Sequence, residues 1–282
     1  MTGPPQVSAA EAYAARVDAI NEQRRRFGRD RARKDRWAER AADFRQNPRR
    51  TPDPNLQALL ELIHPGDVVV DVGGGAGRNG LPIALRCREV INVDPSEAMV
   101  AYFLDAAAEA GIANVRVVEA DWLSAEGVEG DVVLAANVTY FVRDIVPFVE
   151  KLERAARRLV IIDIWSVPPP ARVAGLFALL NDEPQVRAPG YRELLPVLWE
   201  MDILPDVRVL PAPFRGGRDY PQSRDEAIDF ALSQVATLDA ARARQRIEAE
   251  FDRLYERGAE GYRPLWRPDA RELLITWKPR RR

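Results

Sequence analysis

The chain has 282 residues, 46% of them hydrophobic, enough to bury a sizeable core and to exclude a mainly disordered protein. Its 41 basic and 43 acidic residues leave a formal charge of −2, which excludes a global field for holding a polyanion, so any nucleic-acid surface would be local. A single cysteine, Cys87, and a single histidine, His64, exclude an intramolecular disulfide framework and a Cys/His metal centre, and no metal is expected.

The first residues, "MTGPPQVSAAEAYAARVDAI", have no basic leader followed by an apolar core. No later run reaches the roughly 18 apolar residues of a membrane span, so a cytoplasmic protein without a membrane partner is expected. Among the basic residues only Lys34, Lys151 and Lys278 are lysine. With abundant Ala and Pro, that bias fits a GC-rich bacterial genome.

Residues 9–46 read as helix, with Ala10, Tyr13, Val17 and Ile20 at helical spacing and a break at Gly28 inside the basic stretch "RRRFGRDRARKDRW". "QNPRRTPDPN" reads as a loop and "LQALLELI" as a short amphipathic helix ending at "HPGD". The chain then alternates. The apolar runs "DVVVDV", "EVINVD", "VRVVEAD", "DVVLAANV" and "RRLVIIDI" are separated by helical patterns, which is the rhythm of a parallel sheet covered on both faces. "RELLPVLWEMDIL" reads as helix, "DVRVLP" as a sixth strand and "ELLITWKP" as a seventh. About sixty residues between those two strands, including the helical pattern "DAARARQRIEAEFDRLYERG", read as an inserted cap. The expected fold is α/β: a Rossmann-like, doubly wound, mostly parallel seven-stranded sheet with N-terminal helices and a helical insertion between the last two strands. The expected division is an N-terminal helical segment over residues 1–53, then one domain over 54–282 with cap insertions at about 165–203 and 212–270.

In open α/β sheets ligands bind outside the carboxyl ends of the strands. After the first strand, "VVVDVGGGAGRNG" holds two glycine registers: Gly73, Gly75 and Gly77 spell G-x-G-x-G, and Gly75, Gly77 and Gly80 spell the dinucleotide signature G-x-G-x-x-G. Four glycines in "GGGAG" exceed what a tight turn needs and suit close approach of backbone to a ligand. Asp71 precedes them. Asp94 closes the second strand, where a carboxylate accepts both hydroxyls of a ribose, a role compatible with either register. Asp121 and Trp122 end the third strand, where an acid and an aromatic face suit an adenine; the competing reading is a helix-capping Asp121 beside a core Trp122.

Taken in series, these residues resemble the class I S-adenosylmethionine-dependent methyltransferases over roughly residues 56–165: "VVVDVGGGAGR" their first motif, "INVDPSEAM" the second, "EADW" the third, and "DVVLAANVTYFV" the fourth strand and its loop. The resemblance implies S-adenosyl-L-methionine as cofactor. It implies that Gly73, Gly75 and Gly77 pass under its carboxypropyl part, with Asp71 organising the turn. Asp94 would bind the ribose, Met99 would pack near the adenosine, Asp121 and Trp122 would hold the adenine, and Asn137 would lie near the methionine end. Asn137 is followed by Val138, not by the Pro-Pro-Tyr of members that methylate nucleobase or glutamine amino groups.

Methyl transfer from a sulfonium neutralises charge and asks mainly for alignment and exclusion of water, so a base is not obligatory. Tyr140, just after the fourth strand, is the catalytic candidate, as a group that orients the acceptor or closes the donor pocket; His64 sits at the wrong end of the first strand. The acceptor is expected to be a small organic molecule methylated at O or N, held by aromatics of the non-core segments, among them Trp37, Phe44, Trp165, Phe177, Trp199, Phe214 and Trp266. Rival readings are an RNA methyltransferase using "RRRFGRDRARKDR" and the terminal "KPRRR", an NAD(P)-dependent oxidoreductase using the second glycine register, and a catalytically silent adenosyl-binding protein. Nucleic acid is the disfavoured partner, because Asp30 and Asp35 interrupt the first basic run; the expected state is monomer or homodimer.

Overall fold

The computed structural model describes residues 7–27, 46–212 and 220–280. The helix expected beyond Gly28, the aromatics Trp37, Phe44 and Phe214, and the last residues of the terminal basic run lie outside the described residues.

Helix α1 (Ala9–Arg26) starts in a reciprocal capping box between Ser8 and Glu11 and ends at Phe27, where the sequence pattern breaks. Its stripe of Tyr13, Val17 and Ile20 is buried in the same core as the sheet, so the described part of the 1–53 segment is a layer of the main domain and not an appendage. Helix α2 (Pro54–Leu60) has Asp53 as its N-cap and Pro54 in its first turn.

Strand β1 (Val68–Val72), helix α3 (Gly80–Ala84), β2 (Glu89–Val93), α4 (Glu97–Glu109), β3 (Val115–Val118), β4 (Gly130–Ala136), α5 (Ile145–Ala155) and β5 (Ala156–Trp165) alternate as the apolar runs predict. Then come α6 (Ala174–Asn181), α7 (Tyr191–Glu200), β6 (Asp206–Val209), α8 (Arg224–Gln234), α9 (Ala240–Ala249), α10 (Phe251–Leu254), β7 (Tyr255–Gly258), β8 (Gly261–Pro264) and β9 (Glu272–Trp277). The main sheet has seven strands in the order β3-β2-β1-β4-β5-β9-β6. The first five are parallel, and β9 runs antiparallel to both β5 and β6. The strand order reverses between β1 and β4, the switch point at which such sheets open a crevice.

One apolar core fills the face covered by α1, α5 and α7, and a second fills the face covered by α2, α3 and α4. A third belongs to a cap made of α6, α8, α9 and α10. This corrects the expected insertion at 165–203: α7 buries Leu194, Val197 and Leu198 against the sheet, and only the α6 half joins the cap. The long helical pattern of the second insertion also divides. It stops at Ala249, resumes for α10, and turns at Tyr255 into a two-stranded hairpin with β8, closed by Gly261 at φ +115°. Tyr255 stacks its ring on Phe251 and donates its hydroxyl to the Ala227 carbonyl. Among the described residues no helix is long and apolar enough to cross a membrane.

Candidate cofactor site

In the turn after β1, a Cβ on one glycine would make only ordinary contacts, while a Cβ on its glycine neighbours would clash with protein. Gly73, Gly75 and Gly77 all have positive φ, at 66°, 53° and 82°. A Cβ on Gly77 would stand 2.6 Å from Leu81 and Phe103, so this glycine serves packing as well as backbone conformation. A Cβ on Gly75 would meet only the Met99 sulfur at 3.5 Å and Asp94 Oδ2 at 4.0 Å. Gly80, the first residue of α3, lacks a positive φ, and its close neighbour would be Asp71 Oδ2 at 2.7 Å. The first register therefore supplies the exposed turn and the second ends in a packing glycine.

Asp94 is 7% exposed and makes two local bonds: Oδ2 accepts the Gly75 N–H at 2.9 Å, and Oδ1 accepts the Ser96 N–H at 2.9 Å. Ser96 in turn caps α4 through the Met99 N–H. The carboxylate thus joins the glycine turn, the end of β2 and the start of α4. Met99 packs with Ala76 beside the turn, and Ala98 and Tyr102 border that pair. Asn92, missed in the sequence, donates to the Gly75 carbonyl at 3.1 Å and is fully buried. Its signal was available: an amide inside the apolar run "EVINVD" requires a partner.

Asp71 lies beneath the turn and is 1% exposed. Burial, with the Asp94 charge second, pushes its carboxyl up to about 7, against the pull of the Gly80 N–H.

The third-strand pair divides. Asp121 is exposed beyond the carboxyl end of β3, and its Oδ1 accepts the Leu123 N–H at 2.9 Å, the local capping role. Trp122 is 4% exposed, donates from its indole to the Phe148 carbonyl at 3.4 Å, and lies under the Lys151 ammonium at 4.9 Å. Both contacts are to residues of α5.

Beyond β4, Asn137 adopts the left-handed conformation at φ 62° and donates its N–H to the Asp163 carbonyl at 2.7 Å. The Tyr140 hydroxyl donates to Asn137 Oδ1 at 2.9 Å and accepts the Trp165 N–H at 2.7 Å. Tyr140 is 2% exposed, and burial holds its phenol far on the protonated side despite the Trp165 bond. Through these two bonds it ties the β4 loop to the end of β5. Tyr13 of α1 braces the same loop by donating to the Thr139 carbonyl at 2.7 Å.

Behind the turn, Arg50, Asn55, Arg78, Asp163 and Glu272 bound a water-sized polar cavity of ≈ 10 Å³. Arg78 donates to Glu272 at 3.2 Å, so its guanidinium is engaged inside the protein and is no loose phosphate ligand. Burial, then the Glu272 charge, pushes the Asp163 carboxyl up to about 8, and Arg78 opposes the shift. His64 lies before the amino end of β1, away from the site. Phe177 is in the cap core, Tyr262 and Trp266 border it, and Trp199 is 55% exposed on α7. Trp165 stays beside the β4 loop, with the Arg172 guanidinium 4.2 Å over its ring. Among the described residues no group of three or more His, Cys, Asp or Glu side chains could hold a metal ion.

Residues 69–159 match the family model described as a methyltransferase domain. The chain is 39% identical over 66 residues to ribosomal RNA small subunit methyltransferase G of Mycobacterium leprae, a match covering 23% of this chain and only 26% of that protein. Among solved structures, the YcgJ protein of Bacillus subtilis aligns with a TM-score of 0.52 at 18% identity, over 80% of this chain and 98% of its own. The BH2331 protein of Bacillus halodurans C-125 aligns with a TM-score of 0.55 at 13% identity, over 81% of this chain and 100% of its own. At such identities these two likenesses speak for the fold alone.

Proposed function

We propose that the chain is a class I S-adenosylmethionine-dependent methyltransferase that transfers a methyl group to oxygen or nitrogen of a small organic acceptor, a reading supported by the methyltransferase-domain match and the strand order. The observation that supports the donor part of this reading is the Gly75–Asp94 arrangement at the strand-order switch, a turn glycine whose Cβ would meet nothing closer than 3.5 Å, bonded to the acid that closes β2, within residues that match a methyltransferase domain. That arrangement fits a ligand that approaches the backbone closely and carries hydroxyls.

On this reading S-adenosyl-L-methionine supplies an electrophilic methyl group, and the protein aligns the partners. Asp94 accepts both ribose hydroxyls, Met99 lies along the adenosine, and Asp121 receives the adenine amino group. Gly73, Gly75 and Asn137 line the methionine end, and Asp71 holds the turn from below. Bound there, the donor would offer its methyl carbon to the acceptor's lone pair with the sulfur as leaving group, and the acceptor's proton would pass to solvent. No side chain with an accessible base is required, in keeping with the bracing role of Tyr140.

A small acceptor is favoured over RNA because two of the three arginines in the described part of the first basic run are engaged. Arg24 lies 4.9 Å over the Phe141 ring, and Arg26 pairs with Glu183 at 2.9 Å. Cys87 is a free thiol, in keeping with a cytoplasmic location. Calorimetric titration with S-adenosylhomocysteine tests the cofactor, and methyl transfer to a panel of small amines, carboxylic acids and phenols against total RNA tests the acceptor class.

A further inference from the structure

Strand β6 is the outer strand of the sheet, and among the described residues it pairs with β9 alone. Its register opposes Asp206 to Thr276, Val207 to Ile275, Arg208 to Leu274 and Val209 to Leu273. One residue further on, the Leu210 N–H donates to the Glu272 carbonyl at 2.9 Å. Bonded and non-bonded pairs alternate along an antiparallel ladder, so Arg208 and Asp206 also point their backbone groups at β9. Val207 and Val209 therefore point theirs outward, along the open edge. The other side of β9 fixes the same phase, because the Ser166 N–H donates to the Arg271 carbonyl at 2.7 Å.

The side chains sort as cleanly. Leu210 is buried in the core on the α2 face, and Arg208 reaches Glu61, at the end of α2, at 3.4 Å. Period-two alternation puts Asp206 and Arg208 on that face and Val207 and Val209 on the face that α7 covers. Val207 is 42% exposed and Val209 57%, with Leu204 just before the strand at 84%. An outer strand with free backbone groups and exposed valines is a template for another strand.

We propose that the occupant of this edge is a second copy of the chain, with β6 pairing antiparallel to its counterpart about a twofold axis through Val207. The strand's own charges select that register. Because backbone groups at odd-numbered positions face outward, twofold pairing centres on Asp206, Val207 or Arg208. Centring on Asp206 opposes acid to acid, and centring on Arg208 opposes arginine to arginine. Centring on Val207 opposes each Asp206 to Arg208 of the other copy, giving two cross-strand ion pairs on one face and a Val207 contact on the other. The two Val207 residues exchange N–H and C=O, and each Val209 N–H reaches the carbonyl of Pro205, whose missing N–H is not called upon. The interface is self-complementary, as a closed dimer requires.

Sedimentation equilibrium of the full chain tests the arrangement independently of any catalytic assignment. The wild type is expected to be a dimer at micromolar concentration. Asp206→Arg, which sets arginine against arginine twice, is expected to raise the dimer dissociation constant by about tenfold or more. The double exchange Asp206→Arg with Arg208→Asp restores the pairs and the dimer. Val207→Pro removes an N–H that takes no part in the β9 ladder and is expected to give a monomer that melts like the wild type diluted to where it is monomeric. A monomeric wild type, a dimer indifferent to Asp206→Arg, or a double exchange that stays monomeric overturns the proposal.

Discussion

Asp94 Oδ2 accepts the backbone N–H of Gly75 at 2.9 Å, so the acid that ends β2 is fastened to the one residue of the β1 turn whose Cβ position is open. The second strand thereby sets the shape of the first strand's turn before any ligand arrives. Replacing Asp94 by Ala is expected to weaken donor binding by about a hundredfold or more, since hydrogen bonds to a charged group contribute about 1.5–3 kcal/mol each. Asp94→Asn, of the same size and able to keep the Gly75 bond, separates loss of charge from loss of shape. Calorimetry with S-adenosylhomocysteine reads both, and unchanged affinity in both variants contradicts the ribose assignment.

The glycines separate into two kinds. Gly77→Ala forces a Cβ to within 2.6 Å of Leu81 and Phe103 in a left-handed conformation, and is expected to cost about 2–4 kcal/mol of stability. Gly75→Ala meets nothing closer than 3.5 Å, so its cost is conformational, about 1–2 kcal/mol, while its methyl group enters the donor space. Chemical denaturation and donor titration, run on both, should show the larger stability loss in the first and the larger affinity loss relative to stability in the second.

Tyr140→Phe removes a donor to Asn137 and an acceptor for the Trp165 N–H, both in buried surroundings. A stability loss of about 1–3 kcal/mol is expected, with kcat falling by less than about tenfold and no change in the shape of its pH profile. A fall of several hundredfold with unchanged stability, or loss of an alkaline limb, would mean that the hydroxyl takes part in the chemistry.

Asp71 and Asp163 carry carboxyls pushed up to about 7 and about 8. Each folded-state group holds its proton where the unfolded chain has lost it, so the folded state binds more protons between the ordinary carboxylate range and those values. Stability from these groups is therefore complete on the acid side, falls as pH rises to about 7–8, and levels off above. Asp163→Asn should flatten the decline of Tm between about pH 5 and pH 9, and a profile as steep as the wild type's would contradict the placement of that proton.

Much of this site was legible in the chain because its signals are local. Strand runs, the glycine turn and Asp94 follow each other at fixed spacing, and the turn adopts the conformations its glycines permit. What the sequence left open depended on partners far away. Trp122 reads equally as ligand face or core until Phe148 and Lys151 are seen against it. Tyr140 reads as exposed chemistry until Trp165, twenty-five positions on, occupies its oxygen. The helical pattern ending at Gly258 failed because Tyr255 gains more from the cap core and the β8 pairing than from one further helical turn.

On the proposed function, the turn at Gly75 and Asp94 holds an adenosyl methyl donor. The most direct test of this is isothermal titration of the wild-type chain with S-adenosylhomocysteine and, separately, with NAD and NADP. Saturable binding of S-adenosylhomocysteine, lost in Asp94→Ala, with no binding of either dinucleotide, is the predicted result. Binding of a dinucleotide without S-adenosylhomocysteine, or S-adenosylhomocysteine binding that ignores Asp94→Ala, would contradict it.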